Sequence, residues 1–77
     1  MVNVEVLAGY ANRQVQLEFV DGHIVRARLI SVDLEEPREM MYDILEVVAQ
    51  GPDNLAAVKA GTVAAADPSL LRSFQIL

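Results

Sequence analysis

Hydrophobic and polar residues alternate in the first half of this chain. Apolar residues occupy the odd positions from 15 to 19 and again from 25 to 29, with polar residues between them. A period of two residues predicts strands that bury one face. Asp21-Gly22 lies between the two stretches and is a strong hairpin signal, because glycine adopts positive φ at little steric cost. These residues predict a β-hairpin.

The parity of the two apolar stretches limits the length of the hairpin loop. A two-residue loop would place Leu17 opposite a polar residue and send the two apolar faces to opposite sides of the sheet. An odd loop, such as three residues with a bulge at Gly22, keeps the apolar faces together. In this register we expect Leu17 opposite Ala27, and Glu18 close to Arg26 as an ion pair on the polar face.

Three more strands are predicted after the hairpin. The alternation slips after Leu29, where Ile30 and Val32 are apolar, as is typical of a sharply bent barrel strand; a polar loop with Pro37 follows. The third strand has apolar residues on both faces, so we expect both faces to be covered. The predicted elements are a third strand at 40–48, a turn at 50–54, a fourth strand at 62–66, a 3₁₀ turn at 67–70 capped by Asp67, and a fifth strand at 73–77.

Two segments have patterns that fit more than one structure. Residues 3–10 have apolar positions at helical spacing behind Asn3, a potential helix cap, yet Val2, Val4 and Val6 also alternate. The alanine-rich segment 55–60 fits either a helical turn or an extension of the fourth strand. The sequence therefore predicts an all-β fold with the option of a short N-terminal helix.

Composition narrows the classes of protein to which the chain can belong. Its 77 residues make a single domain, residues 1–77, and a core this small is usually supported by disulfides, metals or partner subunits. With no Cys and only one His, we expect no disulfide, no metal centre and no cofactor, which leaves oligomerisation. Without Cys, and with its one His in a hairpin turn, the chain offers no nucleophile–base pair for catalysis, so no enzyme is expected. Residues 1–5 lack the features of a signal peptide, and no apolar run reaches the ~18 residues that span a bilayer, so we expect a cytoplasmic protein without membrane contact.

A family resemblance covers roughly residues 12–48. Within it, residues 17–33 read Leu17-Glu-Phe-Val-Asp21-Gly22-His-Ile-Val25-Arg-Ala27-Arg-Leu29-Ile-Ser-Val32-Asp33, and this stretch resembles the first motif of Sm-like proteins. The match departs at Ala27, where the family has Gly. The Arg-Gly of the second motif is absent, and residues 67–69 occupy its place. The resemblance implies a small, five-stranded, strongly bent barrel of the Sm-like or SH3-like kind.

The resemblance also implies candidate RNA-binding residues. Tyr42-Asp43 resembles the family's base-stacking residue and Asn, with Asp in place of Asn, so the resemblance assigns RNA binding to Asp33, Tyr42 and Asp43. A Tyr can stack on a base, and a carboxylate can accept a hydrogen bond from a base edge. The net charge of −5 opposes binding to a phosphate backbone, and the missing Arg-Gly removes a cation. RNA binding is therefore the alternative function, and an assembly module is the preferred one.

The last two predicted strands favour self-association. Residues 73–77 lack the Lys, Pro or covering segment with which monomers protect an edge strand, and the small fourth strand would let another backbone approach. We expect a homo-oligomer, either a dimer or a closed ring of subunits, with a scaffolding or regulatory role and a protein partner. In the alternative monomer, residues 2–7 would form a strand over the edge. The expected interface residues are Thr62, Val63, Ala64, Ser73, Phe74, Gln75 and Ile76.

Overall fold

The computed structural model describes residues 2–50 and 59–77. Gly51 to Val58 lie outside the described residues, and with them most of the predicted turn at 50–54 and of the ambiguous segment 55–60. The elements in chain order are helix α1 (Val4–Ala8), strands β1 (Gln14–Phe19), β2 (Ile24–Asp33), β3 (Glu39–Ala49) and β4 (Val63–Ala66), a 3₁₀ turn (Pro68–Leu70), and β5 (Leu71–Ile76).

The five strands form one antiparallel sheet in the order β4-β3-β2-β1-β5. The sheet bends around its core, because the rings of Phe19 on β1 and Tyr42 on β3 lie 6.1 Å apart although β2 separates their strands. A bulge between Leu29 and Ser31 interrupts the pairing of β2 with β3, at the point where the alternation slips. The prediction of a small all-β fold with a short N-terminal helix is confirmed.

The hairpin between β1 and β2 closes through a three-residue loop, Val20 to Gly22. Gly22 has a φ of 96° and its N–H donates to the Phe19 carbonyl at 3.0 Å. The Phe19 N–H in turn donates to the His23 carbonyl at 2.9 Å, which closes the ladder on either side of the loop. The predicted odd loop and the positive φ of Gly22 are confirmed. Glycine tolerates this backbone conformation because it has no Cβ.

The predicted register of this hairpin is wrong by two residues. Leu17 lies opposite Val25 rather than Ala27, and Glu18 lies opposite Ile24. The physical reason is the position of the loop, because the three-residue loop is centred on Asp21 and not on Gly22, as the expected register requires. Both loop positions keep the apolar faces together, so parity alone does not separate the two registers.

The core consists of apolar side chains that project from the concave face of the sheet and from α1. The odd positions of β1 all point inward, as their alternation predicts. The eleven buried residues of this core are Leu7, Val15, Leu17, Phe19, Val25, Ala27, Leu29, Met40, Tyr42, Ile44 and Leu71. Towards the two edges of the sheet, Ala64, Ala66, Phe74 and Ile76 are only partly buried against it.

The convex face of β3 is open, which corrects the expectation that both faces of this strand are covered. Met41, Leu45 and Val48 are between 38% and 46% exposed. Helix α1 packs against β2, and no other helix is present among residues 2–50 and 59–77 to cover β3. The apolar residues on this face therefore remain at the surface.

The N-terminal segment is helical. Asn3 caps α1, and its Oδ1 accepts hydrogen bonds from the N–H groups of Glu5 and Val6 at 3.1 and 3.2 Å. Leu7 is fully buried and fixes the helix to the sheet. The alternative in which residues 2–7 form a strand over an edge is therefore wrong.

The turn before β5 has the predicted cap. Asp67 accepts a hydrogen bond from the Ser69 N–H at 2.9 Å, and this bond lowers the pKa of the Asp67 carboxyl group. Pro68 is the first residue of the 3₁₀ turn and is buried. The 3₁₀ turn directs the chain from β4 across to β1, where β5 pairs.

Candidate functional site

Two of the three candidate RNA-binding residues have structural roles. The exposed Asp33 ends β2, and its Oδ1 accepts a hydrogen bond from the Glu35 N–H at 3.0 Å at the start of the loop. Tyr42 is 5% exposed and its ring packs toward Phe19, so almost no ring surface is open to a base. Burial raises the pKa of the Tyr42 hydroxyl.

The third candidate, Asp43, lies on the opposite face of β3 from Tyr42. It is half-buried, faces Arg28 across the β2–β3 ladder, and forms an ion pair with the guanidinium of Arg28. The structure therefore directs Tyr42 into the core and Asp43 to the convex surface, with Asp33 at the end of the neighbouring strand. The three side chains do not form one surface.

Most of the arginines in the described residues form ion pairs with acidic side chains. Arg26 lies 3.8 Å from Glu46 on β3, and Glu18 lies 3.8 Å from Arg72 on β5 instead of pairing with Arg26. Arg38 lies 3.7 Å from Glu36 in the β2–β3 loop. These exposed pairs contribute little to stability. They do neutralise the cations that a phosphate backbone would require.

The outer edge of β4 has no backbone partner among residues 2–50 and 59–77. The Ile44 N–H donates to the Thr62 carbonyl at 2.8 Å, which fixes the even positions of β4 as the ones bonded to β3. The N–H and C=O groups of Val63 and Ala65 therefore point to the free edge. Both of these side chains are exposed, whereas Ala64 and Ala66 face the core.

The outer edge of β5 also has no backbone partner among the described residues. The residues whose backbone groups point outward here have side chains that face the core, unlike those of β4. The Leu77 N–H donates to the Gln14 carbonyl at 3.0 Å, so the odd positions of β5 bond to β1. The backbone groups of Phe74 and Ile76 therefore point away from β1. Their side chains face the core but remain partly exposed. Among residues 2–50 and 59–77, no segment pairs with either outer edge.

The expected interface residues thus fall into two classes. Val63, Phe74 and Ile76 direct their backbone groups to the free edges. The remaining four, Thr62, Ala64, Ser73 and Gln75, direct theirs into the sheet of their own chain and could contact a partner only with their side chains.

A cleft of about 300 Å³ opens between β4 and the end of the β1–β2 hairpin. The rings of Phe19 and His23 stack at 4.1 Å on one wall, and His23 Nδ1 contacts the Asp21 carboxylate. The hydrogen bond from the His23 backbone N–H lowers the pKa of Asp21. Tyr42, Ile44 and Leu70 line the remainder, together with residues 62–66.

Sequence reasoning missed the cleft. His23 follows Asp-Gly, where a solvent-exposed turn is the ordinary expectation, yet the three-residue loop folds its ring onto Phe19. No cluster of three or more His, Asp or Glu with the geometry of a metal site occurs among residues 2–50 and 59–77.

Comparison with known proteins adds no relative. No protein-family model, curated protein or solved structure matches this chain. The Sm-like resemblance of roughly residues 12–48 therefore stays a prediction.

In the described part of the chain, no helix is long and apolar enough to cross a membrane.

Proposed function

We propose that this protein is a non-enzymatic, Sm-like assembly module whose copies associate through the outer edges of β4 and β5. One observation carries the proposal: both outer strands direct backbone donors and acceptors away from the sheet. The core-facing side chains of these two strands are only partly buried. Edges of this kind are templates for pairing with another chain unless charge, Pro or a covering segment protects them.

The arrangement of the two edges supports head-to-tail association. β4 and β5 lie at opposite ends of one sheet, so a contact between β4 of one copy and β5 of the next leaves a free edge on each side. Repetition of such a contact gives a closed ring of subunits when the rotation permits and a filament when it does not. A symmetric dimer through two copies of β5 is the alternative geometry.

The convex face of β3 supports the second part of the proposal, which is a scaffolding or regulatory role with a protein partner. Met41, Leu45 and Val48 are exposed on one strand, and clustered surface apolar residues are typical of protein-binding sites. The cytoplasmic location expected from the sequence belongs to the same proposal.

Sedimentation equilibrium of the wild-type chain tests self-association. Any species heavier than one chain of 8.4 kDa requires pairing between copies.

RNA binding is the alternative function, and we predict no measurable affinity for RNA at physiological salt. The physical reasons are the net charge of −5, the burial of Tyr42 and the ion pairs that hold most of the arginines. A mobility-shift assay with uridine-rich and adenine-rich oligonucleotides checks this prediction, with an arginine-rich RNA-binding peptide as positive control. Micromolar binding that weakens steeply as salt increases would contradict it.

A further inference from the structure

We propose that the cleft beside β4 receives the side chain of Leu77, the residue that follows β5, from a second copy, in an antiparallel pairing that places residue 62 opposite residue 77. This inference rests on the proposed function and defines the register of the contact. It follows from the direction of the backbone groups at the two edges and from the shape of the cleft.

The backbone directions determine which residues form hydrogen-bonded pairs. Only Val63 and Ala65 on β4, and Phe74 and Ile76 on β5, have N–H and C=O groups that point outward. An antiparallel contact that uses all four therefore sets residue 63 opposite residue 76 and residue 65 opposite residue 74. The intervening positions follow, with residue 62 opposite 77, residue 64 opposite 75 and residue 66 opposite 73.

Side chains opposite each other in an antiparallel pair stand on the same face of the sheet. Val63, which is 57% exposed on the convex face of its own copy, therefore meets Ile76, an apolar side chain that its own core covers only in part. The contact covers both. The two side chains that meet at this position are therefore both apolar.

The second row of side chains extends over the cleft. β4 itself forms one wall of the cleft, so a strand added at its free edge carries alternate side chains across the opening. In this register they are Ser73, Gln75 and Leu77, none of which is charged. Leu77 is 50% exposed on its own copy.

The cleft offers Leu77 an apolar environment. Ile44 and Tyr42 on β3 line it, and the side chains of Ala64 and Ala66 on the neighbouring strand β4 are small. Burial of a Leu side chain against such residues is favourable. The occupant that the cleft fits is therefore the apolar residue at the end of β5 of the neighbouring copy.

Cysteine cross-linking between copies tests the register, since the chain contains no Cys of its own. Residues opposite each other in a non-hydrogen-bonded antiparallel pair have Cα atoms ~4.5 Å apart, within the range that a disulfide requires. Thr62→Cys and Leu77→Cys are prepared as separate variants, mixed and oxidised. We expect a covalent heterodimer on a non-reducing gel. The matched control mixes Thr62→Cys with Leu34→Cys, an exposed position after β2, and is expected to stay uncross-linked.

Two results would overturn the inference. Faster cross-linking of Leu77→Cys with Ala64→Cys than with Thr62→Cys would show a register shifted by two residues. Efficient disulfide formation by Gln75→Cys with itself would show that two copies of β5 pair with each other, since residue 75 then lies opposite its own counterpart.

Leu77→Asp provides an independent measurement. We expect a loss of association of at least tenfold, because a carboxylate placed against Ile44 and Tyr42 loses hydration, and no loss for the matched Leu34→Asp. An oligomeric wild-type chain whose Leu77→Asp variant associates equally well would contradict the inference while leaving the proposed function intact. A monomeric wild-type chain would contradict the proposed function itself.

Discussion

Replacing Ala65 with proline is expected to dissociate assemblies of this chain while each copy stays folded. The Ala65 N–H points to the free edge of β4, so proline removes a hydrogen-bond donor that has no acceptor among the described residues of the same copy. Proline is tolerated at such edge positions. Loss of one interchain bond and the bulk of the proline ring in the contact should weaken association by at least about tenfold.

The neighbouring position provides a matched control. Ala64 is also an alanine of β4, but its N–H belongs to the ladder with β3, so Ala64→Pro should disrupt the strand within the monomer. Circular dichroism reports folding and analytical ultracentrifugation reports mass. Ala65→Pro should change the mass alone, and Ala64→Pro should lower the melting temperature as well. An Ala65→Pro variant that associates like the wild type would exclude the β4 edge from the contact.

Leu17→Ala is expected to produce the largest loss of folding stability. Leu17 is fully buried on β1 between Val25 on β2 and Phe74 on β5, so its side chain joins three strands. Truncation of a buried Leu to Ala lowers the free energy of unfolding by ~2–5 kcal/mol. A domain of this size has a net stability of only a few kcal/mol, so much of the population should be unfolded at 37 °C.

Urea denaturation followed by circular dichroism measures the effect. Leu34→Ala is the matched control because Leu34 is exposed in the loop after β2, and its change should stay within ~0.5 kcal/mol. Equal stability losses in the two variants would contradict the assignment of the β1 face to the core.

The elements of this fold could be predicted because local signals agree. Alternation defined β1 and β2, Asp21-Gly22 defined the turn, and Asp67-Pro68 defined the 3₁₀ cap. The register could not be predicted, because three-residue loops centred on Asp21 and on Gly22 satisfy the same parity. The exposure of the convex face of β3 could not be predicted either, since an apolar strand has the same sequence pattern whether or not a helix covers it.

The candidate site could be predicted only in part. The absence of protecting residues in the fifth strand indicated an edge, but the direction of each backbone group depends on a register that the sequence leaves open. Tyr42 lies within β3, as the predicted strand at 40–48 requires, but a strand with apolar residues on both faces does not show that this side chain points into the core. The cleft depends on the stacking of His23 on Phe19, a tertiary contact without a sequence signal.

Sedimentation equilibrium of the wild-type chain across a concentration series from nanomolar to high micromolar tests the central claim most directly. The account predicts a mass that increases with concentration and reaches a multiple of 8.4 kDa in the micromolar range. Twice the chain mass would indicate a symmetric dimer, a larger fixed multiple a closed ring, and unlimited growth a filament. A mass of 8.4 kDa throughout the series would show that the edges of β4 and β5 do not pair between copies, and would contradict the account.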